Sequence, residues 1–436
     1  MMATLTSFNI LDELEINVEV NANPFKFDLS DLFEMGARVN PKRSFLFISK
    51  LIGKHIDVHP DVLKATGYLL ANLLVKQLKG SYFTTNMDQL VQFIKTGELS
   101  EKIKEELSCR YLLSKSTFFV GFAETATGLG HAVYSAFDNA FFVHTTREEI
   151  ASATSIFDFE EEHSHAVDHR CYLFDDRWIN DAEQIVLIDD EMTTGKTTLN
   201  LIRSLHSSYP KKKYIVLSLL DWRTKEQEEA YATMESELGI EIITISLIRG
   251  EIEVVKEAFF SYQQNIEEMG AVSYRVIDEP MSQKINHEHM RQGMIEYVVD
   301  TGRFGISSLL SDFLEKDCKK VGRKLKSKRI GGRTLVLGIG EFVYLPSRIA
   351  SYMGDNVSFK STTRSPIYPN ASTCYPIHEQ IAYMGDDGVE YYLYNISGKY
   401  DEVFMLFEHE PSDQMKEQLA RQLHQKGMKN ISFVML

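Results

Sequence analysis

The chain has 436 residues, a formal net charge of −15, 44% hydrophobic and 25% charged residues. That length exceeds one ordinary core and points to two domains, and the composition is that of globular proteins. The acidic balance gives no chain-wide attraction to nucleic acid or membrane, no apolar run is long enough for a membrane span, and four cysteines without paired spacing argue against a disulfide framework or a zinc ribbon. Met1–Ile10 lacks the basic start and apolar core of a secretion signal, so a cytoplasmic location is expected.

Near the start, residues 12–20 alternate polar and apolar, which predicts an edge strand. Residues 38–55 carry five cations plus His55, including Lys50 and Lys54. In an acidic chain this reads either as an anion-contacting rim or as a solvated loop beside a strand. The spacing predicts a helix over 61–79 and an amphipathic helix near 86–107. Thr117–Val133 then runs from an apolar strand through a small-residue loop into a helix start, with Glu124 through Gly130 in the loop. Phe157–His169 mixes acids with alternating histidines, among them His163 and His165. A polar flap, a metal site and a solvated loop all fit that composition.

The most informative stretch is Ile185–Thr198. Four consecutive apolar residues predict a buried parallel strand. Asp189, Asp190 and Glu191 follow at its carboxyl end, then Thr193, Thr194, Gly195, Lys196 and Thr197 open a helix. Open α/β sheets bind ligands beyond the carboxyl ends of their strands. Successive N–H groups, hydroxyls and a helix N-terminus suit a phosphate there. Two adjacent carboxylates repel phosphate but accept hydrogen bonds from a vicinal diol, so the pattern reads ribose 5-phosphate. A P-loop needs a glycine five residues before Gly195, and that position is Asp190. Beyond this point two apolar runs, Tyr214–Trp222 and Ile242–Leu247, continue a strand–helix alternation that implies a parallel sheet.

This stretch resembles the phosphoribosyl pyrophosphate (PRPP) loop of type I phosphoribosyltransferases. The resemblance implies that Asp189 and Asp190 hold the ribose hydroxyls and that Thr193, Thr194, Gly195, Lys196 and Thr197 hold the 5′-phosphate. It implies Asp189, Asp190 and Glu191 as catalytic residues and Mg²⁺ as cofactor at Asp189 and Asp190. It further implies that the earlier loop, Glu124, Thr125, Ala126, Thr127 and Gly128 with Lys50 and Lys54, holds pyrophosphate. The flap would bring His163 or His165 to the substrate or leaving group as catalytic residues.

The chain also repeats itself. An ungapped comparison of Gly121–Ile150 with Gly338–Ile367 matches nine of 30 columns, including Asp-Asn-x-x-Phe-x-x-Thr-Thr-Arg at Asp138–Arg147 and Asp355–Arg364, where composition alone gives about two. The second copy has no Thr/Gly cup: Glu408, His409, Glu410 and Pro411 follow its late strand. It is expected either to bind a different ligand near Glu341, Arg348, Thr362, Thr363 and Arg364 or to pack on the first copy. Thr363-Arg364-Ser365-Pro366 matches the signature of the TRSP domain. The whole chain is similar to phosphoribosyltransferase–TRSP proteins of biosynthetic modules associated with tellurite-resistance operons. That resemblance implies a role in making a nucleoside-like metabolite.

The expected architecture is therefore a parallel-sheet α/β phosphoribosyltransferase fold over residues 1–265, a connecting segment over 266–330, and a degenerate second α/β domain over 331–436. The basic run 319–329 reads as a solvated helix face or as a contact for a phosphorylated ligand or RNA, and Asn286–His289 as polar surface. The expected function is Mg-dependent phosphoribosyl transfer from PRPP to a small-molecule acceptor, or base release from a ribonucleotide in reverse. A non-catalytic PRPP or nucleotide sensor is the alternative, and a nucleic-acid scaffold is disfavoured by charge. A homodimer and operon-encoded partner enzymes are possible partners; DNA and membrane are not expected.

Overall fold

The computed structural model describes residues 4–40, 43–159, 169–262, 270 and 272–436. Ile185, Val186, Leu187 and Ile188 are each 0% exposed, as a strand covered by helices on both faces must be. They belong to strand Gln184–Met192, inside an eight-stranded sheet. Five of its strands run parallel, in the order Glu241–Lys256, Lys213–Asp221, Gln184–Met192, Tyr111–Gly121 and Phe137–His144. Parallel neighbours need long crossovers. Helices Ala126–Tyr134, Lys196–Ser208 and Lys225–Leu238 provide them.

Two sequence expectations change. The alternating segment near residue 14 is not the edge: Leu14–Ala22 lies one strand in, between Thr4–Ile10 and Glu241–Lys256. Its alternation reports one buried face, with Leu14, Ile16 and Val18 at most 1% exposed. The helix expected near 86–107 is two helices, Met87–Thr96 and Glu101–Glu106. Gly97 ends the first at φ +72°, and the Ser100 side chain caps the second by accepting from the Ile103 N–H.

A second sheet has five strands, all parallel: Arg275–Asp278, Asn430–Met435, Glu402–Phe407, Thr334–Gly338 and Val357–Ser361. Its last four strands copy the arrangement of Lys213–Asp221, Gln184–Met192, Tyr111–Gly121 and Phe137–His144. Local details repeat too. Asn139 and Asn356 both sit at positive φ, +61° and +55°. Each half has an antiparallel hairpin, Ser155–Phe159 with His169–Tyr172 and Gln380–Met384 with Glu390–Tyr394. The Tyr172 hydroxyl accepts from the Ile150 N–H at 3.0 Å, and Tyr394 does the same for Ile367 at 2.8 Å. The repeat seen in sequence is a repeat of fold.

Residues 266–330 do more than connect. Arg275–Asp278 pairs into the second sheet and Ile306–Ser307 into the first. The basic run falls in helix Ser311–Lys328, where Lys324 and Lys328 pair with Glu279 at 2.6 and 2.9 Å. One apolar core passes through both halves, joining Leu63 and Leu129 to Val343, Ile349 and Phe359. Among the described residues no helix is long and apolar enough to cross a membrane.

Helix Val62–Lys79 crosses Ala126–Tyr134 at Gly67, where a Cβ would stand 2.4 Å from the Ala132 carbonyl carbon. Gly67→Ala should therefore destabilise the chain by about 1–3 kcal/mol in urea unfolding, despite alanine's better helix propensity. An unchanged or raised midpoint would contradict this close crossing.

Candidate active site

The strand Gln184–Met192 delivers Asp189, Asp190 and Glu191 to the carboxyl edge of the first sheet. The Asp189 carboxylate accepts from the Asp190 N–H at 2.9 Å. Gly195 follows as the N-cap of Lys196–Ser208, a 13-residue helix. Two constraints require glycine there. Its φ is +72°, and a Cβ would lie 2.5 Å from the Tyr231 hydroxyl and 2.7 Å from Arg223 Cδ. Tyr231 donates to the Gly195 carbonyl at 2.9 Å, and Asp221 fixes Arg223 through bonds of 2.8 and 2.6 Å. The turn is thus braced from behind while Thr193 and Lys196 stay exposed and Thr194 and Thr197 half-buried. The Lys196 N–H donates to the Thr194 hydroxyl at 3.3 Å.

The acids are short of counter-charge. Arg43 pairs with Glu191 at 2.7 Å. Burial and then the charge of Asp190 raise Asp189 well above the ordinary carboxylate range. Asp190 is pushed up to about 6, first by burial and then by Glu191, with Lys54 opposing the rise. These side chains offer only oxygen donors, which fits Mg²⁺. Among the described residues no three His, Cys, Asp or Glu side chains gather as a metal cage. A Mg²⁺ shared with substrate phosphates needs only one or two carboxylates, so the pair fits that mode.

The loop after Tyr111–Gly121 lies beside this turn, because Gly121 pairs with Ile188 and the Phe122 N–H donates to the Ile188 carbonyl at 3.0 Å. The Ala123–Glu124 peptide is cis. Glu124 approaches buried Lys54 at 2.8 Å, a charge contact without hydrogen-bond alignment, and its other oxygen accepts from the Arg364 N–H at 3.2 Å. Thr125 precedes the helix that opens at Ala126. Thr127 turns to the second half and donates to the Glu341 carbonyl at 2.9 Å. The bare face of Gly128 makes room for Val343. Lys50 pairs with Glu34 at 2.7 Å. Of the residues expected around pyrophosphate, Glu124 and Lys54 therefore stand together, Thr127 and Gly128 serve the seam between halves, and Lys50 sits on another carboxylate. His163 and His165 lie outside the described residues.

The five second-half residues expected to share a ligand do not converge on one open cleft. Glu341 binds Thr146, the Arg147 N–H and Arg303 at 2.6, 2.8 and 3.0 Å. The Thr362 hydroxyl accepts from the Gly340 N–H at 2.9 Å, and Thr363 from the Ser365 N–H at 3.1 Å. Arg364 donates to Tyr391 and Asp387 at 2.7 and 2.8 Å. Arg348 faces elsewhere, toward Asp61 and Glu315 at 2.6 and 2.7 Å. Each is committed to neighbouring protein.

Sequence reasoning missed the apolar chamber beside the acids. A narrow cavity of about 20 Å³ adjoins Asp190 and Glu191 and is lined by Leu32, Phe33, Phe47, Leu51, Leu219 and Leu247 among others. Its wall is the separate pair of strands Phe33–Ala37 and Phe45–Ser49, with Trp222 stacked on Phe47 at 5.2 Å. A larger groove of about 340 Å³, open to solvent, lies between Lys64, Arg110, Glu315 and Arg348 and shares no lining residue with this cavity. Size therefore does not single out the site; the carboxyl edge of the sheet does.

No curated relative matches the chain. Similar solved structures include adenine phosphoribosyltransferase from Trypanosoma brucei, 11% identical, covering 56% of this chain and 86% of that one with a TM-score of 0.30. The enzymes from Leishmania donovani and Leishmania tarentolae are each 14% identical, cover 50% and 56% of this chain and 77% and 94% of their own, and score 0.23 and 0.26. A phosphoribosyl transferase family model matches residues 32–251, and a model for the TRSP domain C-terminal to it matches 300–423. With half of its length matched by that first model, the chain belongs to the phosphoribosyl transferase family and carries a TRSP domain after it.

Proposed function

We propose that the chain transfers a phosphoribosyl group between pyrophosphate and a small acceptor, using PRPP in the forward direction. One observation carries this reading: two adjacent acids of raised pKa open directly into the Gly195 turn at a helix N-terminus. Asp189 and Asp190 accept hydrogen bonds from the two ribose hydroxyls. The N–H groups and hydroxyls from Thr193 to Thr197 receive the 5′-phosphate. Glu124 and Lys54 border the place where pyrophosphate departs. Bound Mg²⁺ would supply charge neutralisation for that leaving group. The carboxylates stabilise positive charge developing on the ribose ring.

Thr193 stands where purine-salvage relatives carry an aspartate, and threonine is a poor general base. A hypoxanthine- or guanine-type acceptor is therefore disfavoured. A non-catalytic nucleotide sensor is the second reading. It is favoured by Lys50 and Lys54, which are already held by Glu34 and Glu124. Release of pyrophosphate in a panel of bases distinguishes the two.

Isothermal titration should show Mg²⁺–PRPP binding to the wild type, and at least tenfold weaker binding to Asp190→Asn and Gly195→Ala. Equal affinity in all three, or no binding to any, would contradict the assignment.

Stability should carry the same signature. A carboxylate whose folded pKa is raised stabilises the fold fully only below its unfolded value, and that contribution is lost as pH rises through the folded value. For Asp190 the window runs from 3.8 to about 6. Asp190→Asn removes the loss, so relative to wild type it should gain at most about 3 kcal/mol at pH 7.5, reduced by solvent screening of this half-buried side chain, and nothing at pH 3.5 in urea unfolding. A variant that is no more stable at pH 7.5 would contradict the unmet charge.

A further inference from the structure

We propose that the second half of the chain acts as a built-in partner subunit, whose Glu341 braces the loop of the first half that ends in Glu124, and that it has no Thr/Gly phosphate cup of its own. The case begins with an exchange between equivalent positions. In the first half the Thr145 hydroxyl accepts from the Ala123 N–H at 2.8 Å; in the second, Thr362 accepts from the Gly340 N–H at 2.9 Å. The acid next in each loop then crosses to the other half. Glu124 accepts from the Arg364 N–H at 3.2 Å, and Glu341 accepts from the Arg147 N–H at 2.8 Å. Arg147 and Arg364 occupy the same column of the repeat, as do Glu124 and Glu341. Each half lends one carboxylate to the same turn of the other, which is the pattern of an isologous two-fold interface. The helices that follow, Ala126–Tyr134 and Tyr344–Ser351, meet across this seam through His131 stacked on Tyr344 at 4.0 Å.

The symmetry breaks at the place where a ligand would sit. Gly121 pairs with Ile188 and Gly338 with Leu406, so Asp190 and Glu408 hold equivalent positions two residues further on. Among the described residues Asp190 has no cation in ion-pair contact. Glu408 is closed by Arg303, which reaches both its oxygens at 3.1 and 2.7 Å and is 1% exposed. Arg303 also contacts Glu341 at 3.0 Å and Glu148 at 3.2 Å. The acid that would hold a ligand in the second half is thus locked to a buried arginine, and the same arginine stiffens Glu341 against Thr146 and Arg147. From there the brace is short: Thr145, next in the chain, holds the Ala123 N–H beside Glu124. A domain joined only by a tether would not place its acid inside its neighbour's turn.

The location of the braced loop rests on the phosphoribosyl transfer reading, but the bracing does not. Hydrogen exchange on the full chain tests it without any ligand. In Glu341→Gln, amides of Phe122–Thr127 should exchange at least tenfold faster, with Gln184–Ile188 and Lys213–Leu217 unchanged. Thr145→Val, which deletes only the bridging hydroxyl, should do the same and serves if Glu341→Gln does not fold. Unchanged exchange in the folded variant would overturn the proposal, as would equal acceleration throughout the sheet. Titration of wild type with Mg²⁺–PRPP should give one site per chain, and two sites would overturn the claim of a single cup. Absence of PRPP binding would defeat the transferase reading and leave the exchange result to decide the brace.

Discussion

Two like charges on consecutive residues, at the end of a strand buried on both faces, are the constraint on which this molecule turns. Strand alternation cannot separate Asp189 and Asp190 far enough to make them independent, and partial burial thins the water that would screen them. Their protons are therefore held more tightly than usual. A fold selected for stability alone would replace one of them. Keeping both makes sense where a diol and a cation complete the charge balance. The surrounding structure serves that point: Asp221 and Arg223 buttress the turn, Tyr231 holds the Gly195 carbonyl, and Arg43 takes up Glu191.

The second half carries the same architecture without the Thr/Gly turn. Its strands keep their order, its asparagine keeps positive φ, and its threonine keeps the loop amide. The acidic position changes character, because Arg303 fills it, and no Thr/Gly turn follows. Burying one arginine among Glu148, Glu341 and Glu408 holds Glu148 below the ordinary carboxylate range and brings Glu341 down to about 2. Such a cluster is rigid because removing any member leaves buried charge exposed to its neighbours. Rigidity in one half and unmet charge in the other fit a division into brace and site.

Much of this was legible in the chain itself. The strand, acid and turn elements at Ile185–Thr197 are contiguous, so local chemistry suffices to read them. The repeat was visible because its matched residues act within a few positions of each other: Asn139 and Asn356 take positive φ, Thr145 and Thr362 hold a loop amide. What sequence could not give was pairing across distance. Nothing in the spacing of Lys54 announces Glu124, and nothing around Arg303, in what read as a connector, announces Glu408. The apolar cavity was hidden for the same reason, since Phe33, Phe47 and Leu219 come from separate segments. The helix expected near 86–107 failed on a local signal passed over, the Gly97 stop followed by the Ser100 cap.

The central claim concerns charge awaiting a ligand, and carbon-13 NMR of the aspartate carboxyls, with Asp190→Asn for assignment, reads that charge directly. In the free protein Asp190 should titrate near 6 rather than at the ordinary 3.8. Saturating ribose 5-phosphate with Mg²⁺ should move its midpoint downward, because hydroxyl donors and a cation favour the ionised form. An ordinary midpoint that the ligand leaves unmoved would contradict the account.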